Sequence, residues 1–291
     1  MKNKLKFIDL FAGIGGFHQA FHNLGAECVF VSEWDDNARK TYEANYKNIS
    51  PDLFKEENRD KLFVGDITKI DPKDIPDFDV LCAGFPCQPF SQAGFKKGFE
   101  DTRGTLFFNI AEILKEKKPK AFFLENVRGL LNHDKGNTMT VIKRVLEEEL
   151  GYKIFYKVLK ASDYGVPQNR PRLYIIGFRE DVSFEFPKPI KLEKTMSDVF
   201  EGRAEREVGF TLRVGGRGSN INDRRNWDSY MVDGEVRRLT PKEGLRMQGF
   251  PDSFVFPVSE AQAMKQLGNS VAVPAIQATA KKMMEAMNVE I

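Results

Sequence analysis

The chain has little of several things, and each scarcity removes a class of protein. It holds three cysteines (Cys28, Cys82 and Cys87) and three histidines (His18, His22 and His133) in 291 residues. An odd number of cysteines without close pairing builds no disulfide framework, and so few scattered ligands build no zinc site, so no metal is expected. No apolar run is long enough to span a bilayer, and Met1-Lys2-Asn3-Lys4 leads into a strand-like run, not a signal sequence. A strong charge of one sign is lacking too: 44 basic residues face 42 acidic ones, a formal net charge of +2. That balance permits nucleic-acid binding only through a local basic patch. The expectation is a monomer of the cytoplasm, with no membrane contact and with free thiols.

What is present is an alternation of β-rich runs and helical patterns over residues 5–180. Strands are expected at 6–10, 28–33, 80–83, 121–125 and 172–178, and helices at 15–24, 37–46, 106–116 and 138–150. The alternation predicts an α/β fold with a doubly wound, mostly parallel sheet, Rossmann-like. Ligands of such sheets bind beyond the carboxyl ends of the strands. From about Phe184 the pattern breaks at Pro187 and Pro189, and no long helix is evident before Ala261. The stretch 209–233 is rich in Gly, Arg and Asn, which reads as a small irregular β lobe. A disordered linker is the bland alternative, opposed by Phe210, Leu212, Trp227, Tyr230, Met231 and Val232, enough for a small core. A last helix at 274–287 starts with Pro in its first turn. The expected division is a large domain of 1–180 plus 264–291, and a small one of 181–263.

Phe7-Ile8-Asp9-Leu10-Phe11-Ala12-Gly13-Ile14-Gly15-Gly16-Phe17 reads as strand, glycine turn and helix. Glycines let a backbone approach a ligand closely. Glu33 ends the next strand, placed to bind ribose hydroxyls, with Trp34 beside it to pack on an adenine. Asp66-Ile67 offers a carboxylate for the adenine amino group. The Gly-x-Gly-Gly spacing departs from the G-x-G-x-x-G dinucleotide fingerprint. S-adenosylmethionine fits better than a nicotinamide dinucleotide, having ribose and adenine but no pyrophosphate. A purely structural turn is the other reading of the glycines alone.

Cys28 and Cys82 sit in apolar runs and read as small buried hydrophobes. Cys87 instead lies in a polar, proline-stiffened loop, Gly84-Phe85-Pro86-Cys87-Gln88-Pro89, at a strand's carboxyl end. Glu125 closes the apolar run 121–125, and Arg170 and Arg172, spaced by one residue, face one side of an extended chain. They either ion-pair structurally or clamp a base and a phosphate. A thiol, a buried acid and an arginine beside a methyl donor suit one chemistry. Carbon 5 of cytosine is a poor nucleophile; adding a thiolate at carbon 6 makes an enamine that is nucleophilic at carbon 5. A carboxylic acid at ring nitrogen 3 eases that addition. A stacked base is out of reach, so it must be flipped out, at a cost of about a few kcal/mol.

The chain resembles the bacterial DNA (cytosine-5) methyltransferases of type II restriction–modification systems. Six blocks carry the resemblance, in that family's order: 11–17, 84–91, Glu125-Asn126-Val127, Gln168-Asn169-Arg170-Pro171-Arg172, Arg238-Leu239-Thr240-Pro241-Lys242-Glu243, and Gln266-Leu267-Gly268-Asn269-Ser270-Val271. It implies Cys87 as nucleophile, Glu125 on the amino group and ring nitrogen 3, and Arg172 orienting the base with Arg170 nearby. For S-adenosyl-L-methionine, with S-adenosyl-L-homocysteine as product, it implies Phe11, Gly13, Ile14, Gly16, Glu33, Trp34, Asp66, Ile67, Pro86, Leu106, Asn269 and Val271. The segment 87–104, with Gly94, Gly98 and Gly104, is the implied loop over the flipped base. Residues 181–235 stand where the family carries its target-recognition region. Candidates for touching double-stranded DNA are Ser91, Gln168, Thr211, Arg213, Arg217, Arg224 and Arg225, with Arg237 and Arg238 beside them. Their other reading is a solvated surface mixed with Asp223, Asp228 and Asp233. The implied role is protection of host DNA from a partner restriction endonuclease, functionally but not physically paired. An RNA cytosine-C5 methyltransferase and a catalytically dead DNA-binding protein are the alternatives; the Arg-rich segment favours DNA, and the intact Cys87, Glu125 and Arg172 favour an enzyme.

Overall fold

Uninterrupted apolar runs make the centre of the fold. The computed structural model describes residues 4–86 and 106–289, so Cys87, Ser91 and the glycines Gly94, Gly98 and Gly104 lie outside the described residues. Strands β1 (Lys6–Leu10), β2 (Glu27–Ser32), β3 (Phe63–Val64), β4 (Val80–Gly84), β5 (Ala121–Val127), β6 (Lys153–Lys160) and β7 (Pro171–Phe178) form one sheet in the order β3-β2-β1-β4-β5-β7-β6. The pairs from β3 through β5 are parallel. β7 runs antiparallel to both β5 and β6.

Helices cover both faces, as a sheet of fully apolar strands requires. One face packs on α1 (Gly16–His22), α2 (Asp36–Tyr46) and the C-terminal helix; the other packs on α3 (Leu106–Lys117) and α4 (Asn137–Lys143). Successive residues of β5 serve opposite faces: Phe123 joins the first core and Phe122 the second. Each such buried phenyl contributes about 1.5–3 kcal/mol of transfer free energy. The doubly wound, mostly parallel sheet read from the sequence is the fold observed.

β6 carried no strand expectation, because Lys153, Lys157 and Lys160 interrupt its apolar residues. It is the sheet's edge, where lysines keep the open backbone from pairing with another chain. The helix expected over 138–150 is α-helical only to Lys143 and continues as a wider π-type turn over Arg144–Glu149.

The Gly- and Arg-rich region is ordered irregularly. It contains α5 (Met196–Phe200) and a two-stranded antiparallel sheet of β8 (Ser229–Val232) and β9 (Glu235–Arg238). Asp233 and Gly234 join these strands with φ of 53° and 82°, the paired positive angles of a tight hairpin turn. Then follow α6 (Pro241–Gln248), α7 (Glu260–Asn269) and α8 (Val273–Ala286). Two of these helices are short, and α6 did have a sequence signal. Thr240 and Glu243 form a reciprocal capping box, Pro241 opens the first turn, and Gly249 ends it at φ 74°. Leu212, Trp227, Tyr230 and Met247 share one continuous buried cluster with Phe17 and Val271, so no solvent gap divides the two regions there.

Gly177 of β7 faces Phe122 of β5 so closely that a methyl group on it would overlap the phenyl ring. Gly177→Ala should therefore destabilise the fold by about 1–3 kcal/mol through overpacking. Urea unfolding checks this; an unchanged midpoint would show that the ring shifts freely.

Candidate active site

Strand register brings the site together. Gly84 of β4 pairs with Glu125 of β5, Glu125 pairs with Tyr174 of β7, and Val127 pairs with Arg172. Because β7 is antiparallel to β5, its first residues lie at the carboxyl edge where β4 and β5 end. Arg172 thereby meets Glu125 although 47 positions separate them in the chain: its Nε lies 2.9 Å from Glu125 Oε1 as a buried ion pair. Burial pushes the Glu125 carboxyl above its ordinary value, and the charges of Arg172 and Arg170 only partly offset this. Among the described residues, Arg172 is the only charged partner within reach of Oε1, and its angle falls short of a well-aligned hydrogen bond.

The chain leading into Cys87 is fixed at the same edge. Asn126 donates from Nδ2 to the carbonyl of Phe85 (2.9 Å) and accepts from the Val127 N–H (2.8 Å). Asn126 was quoted in the sequence only as part of a block. Its position directly after a strand-ending acid is the signal that could have singled it out. Pro86 is exposed at the rim; the reach of the Cys87 thiol lies outside the described residues.

The glycine turn follows β1, at the point where the strand order reverses. Phe11 has φ 55°, unusual for a bulky residue, and Gly13 and Gly15 have φ 56° and 80°. The Ala12 N–H donates to the Ser32 carbonyl (3.0 Å), tying the turn to β2. The Gly13 N–H donates to Glu33 Oε2 (2.7 Å), and the Asp35 N–H donates to Oε1 (2.8 Å). Burial raises the Glu33 pKa against these two donors. Behind the turn, the Tyr46 hydroxyl donates to the Gly15 carbonyl (2.7 Å), and a side chain on Gly15 would strike the Tyr46 ring. On the open side, nothing among the described residues lies within 4 Å of where a Gly13 side chain would begin. The Trp34 indole is 82% exposed next to Glu33. Asp66 accepts from the Thr68 N–H (3.0 Å) and hydroxyl (2.7 Å), bonds that lower its pKa. Ile14 and Ile67 are buried, Leu106 is half-buried and opens α3, and Asn269 is exposed at the end of α7. Val271 packs on Gly16 without room for a further methyl. The open backbone, the fixed carboxylate and the free indole fit a ligand carrying ribose and adenine.

Two stretches, 5–209 and 208–285, match the family model described as C-5 cytosine-specific DNA methylase. The chain belongs to the C-5 cytosine-specific DNA methylases. It is 46% identical to the type II methyltransferase M.HpaII of Haemophilus parainfluenzae, over 98% of this chain and 90% of the relative. It is 41% identical to M.HhaI of Haemophilus parahaemolyticus, over 98% of this chain and 95% of the relative. The alignment with M.HpaII spans 337 positions, more than the 291 residues of this chain, so that relative carries residues this methylase lacks. The solved structure of the Schizosaccharomyces pombe Dnmt2 methyltransferase superposes with a TM-score of 0.74 at 19% identity, covering 98% of this chain and 100% of that one, which speaks for the fold alone.

Two residues of this methylase lie deeper than a surface contact would. Gln168, a candidate for DNA contact, is fully buried: its Nε2 donates to the Met247 carbonyl (2.9 Å), and its Oε1 accepts from the Leu212 N–H (3.1 Å). It cannot face DNA. Arg170, expected near the base, is also buried, with its guanidinium donating to the carbonyls of Leu212 (3.0 Å), Gly268 (3.2 Å) and Ser270. It touches backbone, not an open site. The remaining candidates among the described residues have these partners. Thr211 donates its hydroxyl to Asn169; Arg213 donates to the Arg225 carbonyl (2.8 Å); Arg225 pairs with Asp223 (2.8 Å); Arg217 pairs with Glu260. Arg237 pairs with Glu243 (2.9 Å), Arg238 donates to the Gly218 carbonyl (3.1 Å), and Arg224 is exposed.

The raised Glu125 pKa sets the sign of a pH effect. The folded state holds this proton more tightly than the unfolded chain, so the associated stability is full below about 4.5, the ordinary glutamate value, and is lost as pH rises through the folded value. Relative to Glu125→Gln, the wild-type protein should lose stability as pH rises above that point. Urea unfolding of both proteins across pH measures it; parallel curves would contradict the shift.

Proposed function

We propose that the methylase transfers a methyl group from S-adenosylmethionine to carbon 5 of a flipped cytosine in a short duplex sequence. Glu125 carries this reading: it is a buried carboxyl with a raised pKa, paired with Arg172, beside the chain that enters Cys87. When bound, the cofactor supplies an electrophilic methyl group on a sulfonium. Glu33 would hold the ribose hydroxyls, Trp34 would pack on the adenine, and Asp66 would accept from its amino group. Phe11, Gly13, Ile14 and Gly16 would form the wall, with Ile67, Pro86, Leu106, Asn269 and Val271 closing it.

The Cys87 thiolate adds to carbon 6 while Glu125 protonates ring nitrogen 3, which moves electron density to carbon 5. Arg172 holds Glu125 and orients the base. After transfer, a water molecule takes the carbon 5 proton, the thiolate is expelled as the carbon 5–carbon 6 double bond re-forms, and ring nitrogen 3 returns its proton to Glu125. Residues 181–263 act as a target-recognition lobe on the large domain of 1–180 and 264–291, with Arg213, Arg217, Arg224, Arg225 and Thr211 toward DNA; Ser91, a further DNA candidate, lies outside the described residues. The biological role that fits is protection of DNA in the bacterial cytoplasm by a monomeric enzyme, against an endonuclease it need not touch.

Duplex DNA carrying 5-fluorocytosine at the target should form a denaturant-resistant adduct with the wild-type protein, since fluorine cannot leave as a proton does. Cys87→Ala should form none and show no methyl transfer, yet still bind S-adenosylhomocysteine. Gel analysis reads the adduct; turnover near wild type in Cys87→Ala would sink the assignment.

Stacking of Trp34 on adenine should change the indole fluorescence on S-adenosylhomocysteine titration. Trp34→Ala should lose that change and bind about tenfold more weakly, a loss of about 1.4 kcal/mol. Unaltered affinity would remove Trp34 from the cofactor site.

A further inference from the structure

Arg170 stands where three separate parts of the chain meet. Its guanidinium donates to Leu212 in the Arg-rich region and to Gly268 and Ser270 at the end of α7, while its own residue leads directly into β7 and Arg172. The joint is tight. A side chain on Gly268 would lie 2.6 Å from the Arg213 carbonyl carbon and 2.8 Å from the Val214 nitrogen. Gln168 ties the Leu212 N–H to α6, and Gln248 Nε2 donates to the Leu267 carbonyl (2.9 Å), so backbone on every side is engaged. One residue beyond Ser270, Val271 presses on Gly16 of the glycine turn. A continuous path of packed atoms therefore runs from that turn through Val271, Ser270 and Arg170 to Leu212, where the arginine loop begins.

We infer that Arg170 is a positioning residue which couples occupancy of the cofactor site to the placement of the Arg-rich loop on DNA. This rests on the cofactor and DNA sites proposed above. A ligand against Gly13–Gly16 limits the movement of Val271 and Ser270, and the forked guanidinium transmits that limit to Leu212 and the loop after it. Burial, with the like charge of Arg172, pushes the Arg170 pKa down to about 9, the cost of placing a cation there, and the charge of Glu125 partly offsets it. Lysine cannot replace it, since one compact ammonium does not span carbonyls on two segments. Coupling of this kind is reciprocal: cofactor product and DNA should each tighten the other by the same factor, typically about 5–150-fold.

The test measures the affinity of the full chain for S-adenosylhomocysteine, free and bound to a duplex that it methylates. In the wild-type protein the duplex should tighten the product at least about fivefold. In Arg170→Lys that ratio should fall to near one, with each ligand still bound singly. A ratio unchanged in Arg170→Lys would overturn the inference, because a merely structural arginine would weaken folding without touching the coupling. Hydrogen exchange of the wild-type protein is the second arm and needs no variant. S-adenosylhomocysteine should slow exchange at 212–214 as well as at 268–271; protection confined to the latter would also overturn it. Failure of the wild-type protein to bind S-adenosylhomocysteine would instead remove the cofactor reading beneath it.

Discussion

The site depends on keeping one carboxyl group out of water at the end of a buried strand. An isolated carboxylate is costly there, so Glu125 is either protonated or paired, and the fold arranges for both. The pairing partner comes from an antiparallel neighbour, whose first residues coincide with the last residues of β5. An all-parallel sheet would have put the start of that strand at the far edge. The reversal of β7 is thus a requirement of the chemistry as well as a detail of topology. Asn126, next along β5, uses the same strand end to hold Phe85.

The glycine turn solves a different problem, close approach of backbone to ligand. Positive φ at Phe11, Gly13 and Gly15 turns the chain sharply out of β1. Tyr46 fills the space behind Gly15, while among the described residues nothing fills the space in front of Gly13. Glu33 binds the Gly13 amide, so the carboxylate suited to ribose also fixes the turn beside it. The two halves of the pocket are set by one hydrogen bond between neighbouring strand ends.

Much of this was legible in the chain. Apolar runs closed by Glu33 and Glu125 marked strands ending at a crevice, and the Gly-x-Gly-Gly turn marked the ligand side. β6 was not legible, because edge strands mix lysine with apolar residues and lose the signature of burial. The burial of Gln168 and Arg170 was not legible either. Polar residues in a motif suggest an open site, but these two are polar because they satisfy buried backbone at a junction. Nothing local distinguishes an arginine that meets a phosphate from one that meets three carbonyls.

The sequence by itself determined the fold class, the central strands with the helices between them, and the residues that end those strands, because periodicity and turn chemistry are local properties. Tertiary structure alone decided which strand ends become neighbours. The Glu125–Arg172 pair, the Val271 contact with Gly16 and the Arg170 junction all join residues distant in sequence. Their geometry follows from strand reversal and from a C-terminal segment that folds back onto the first helix, and no local pattern encodes either.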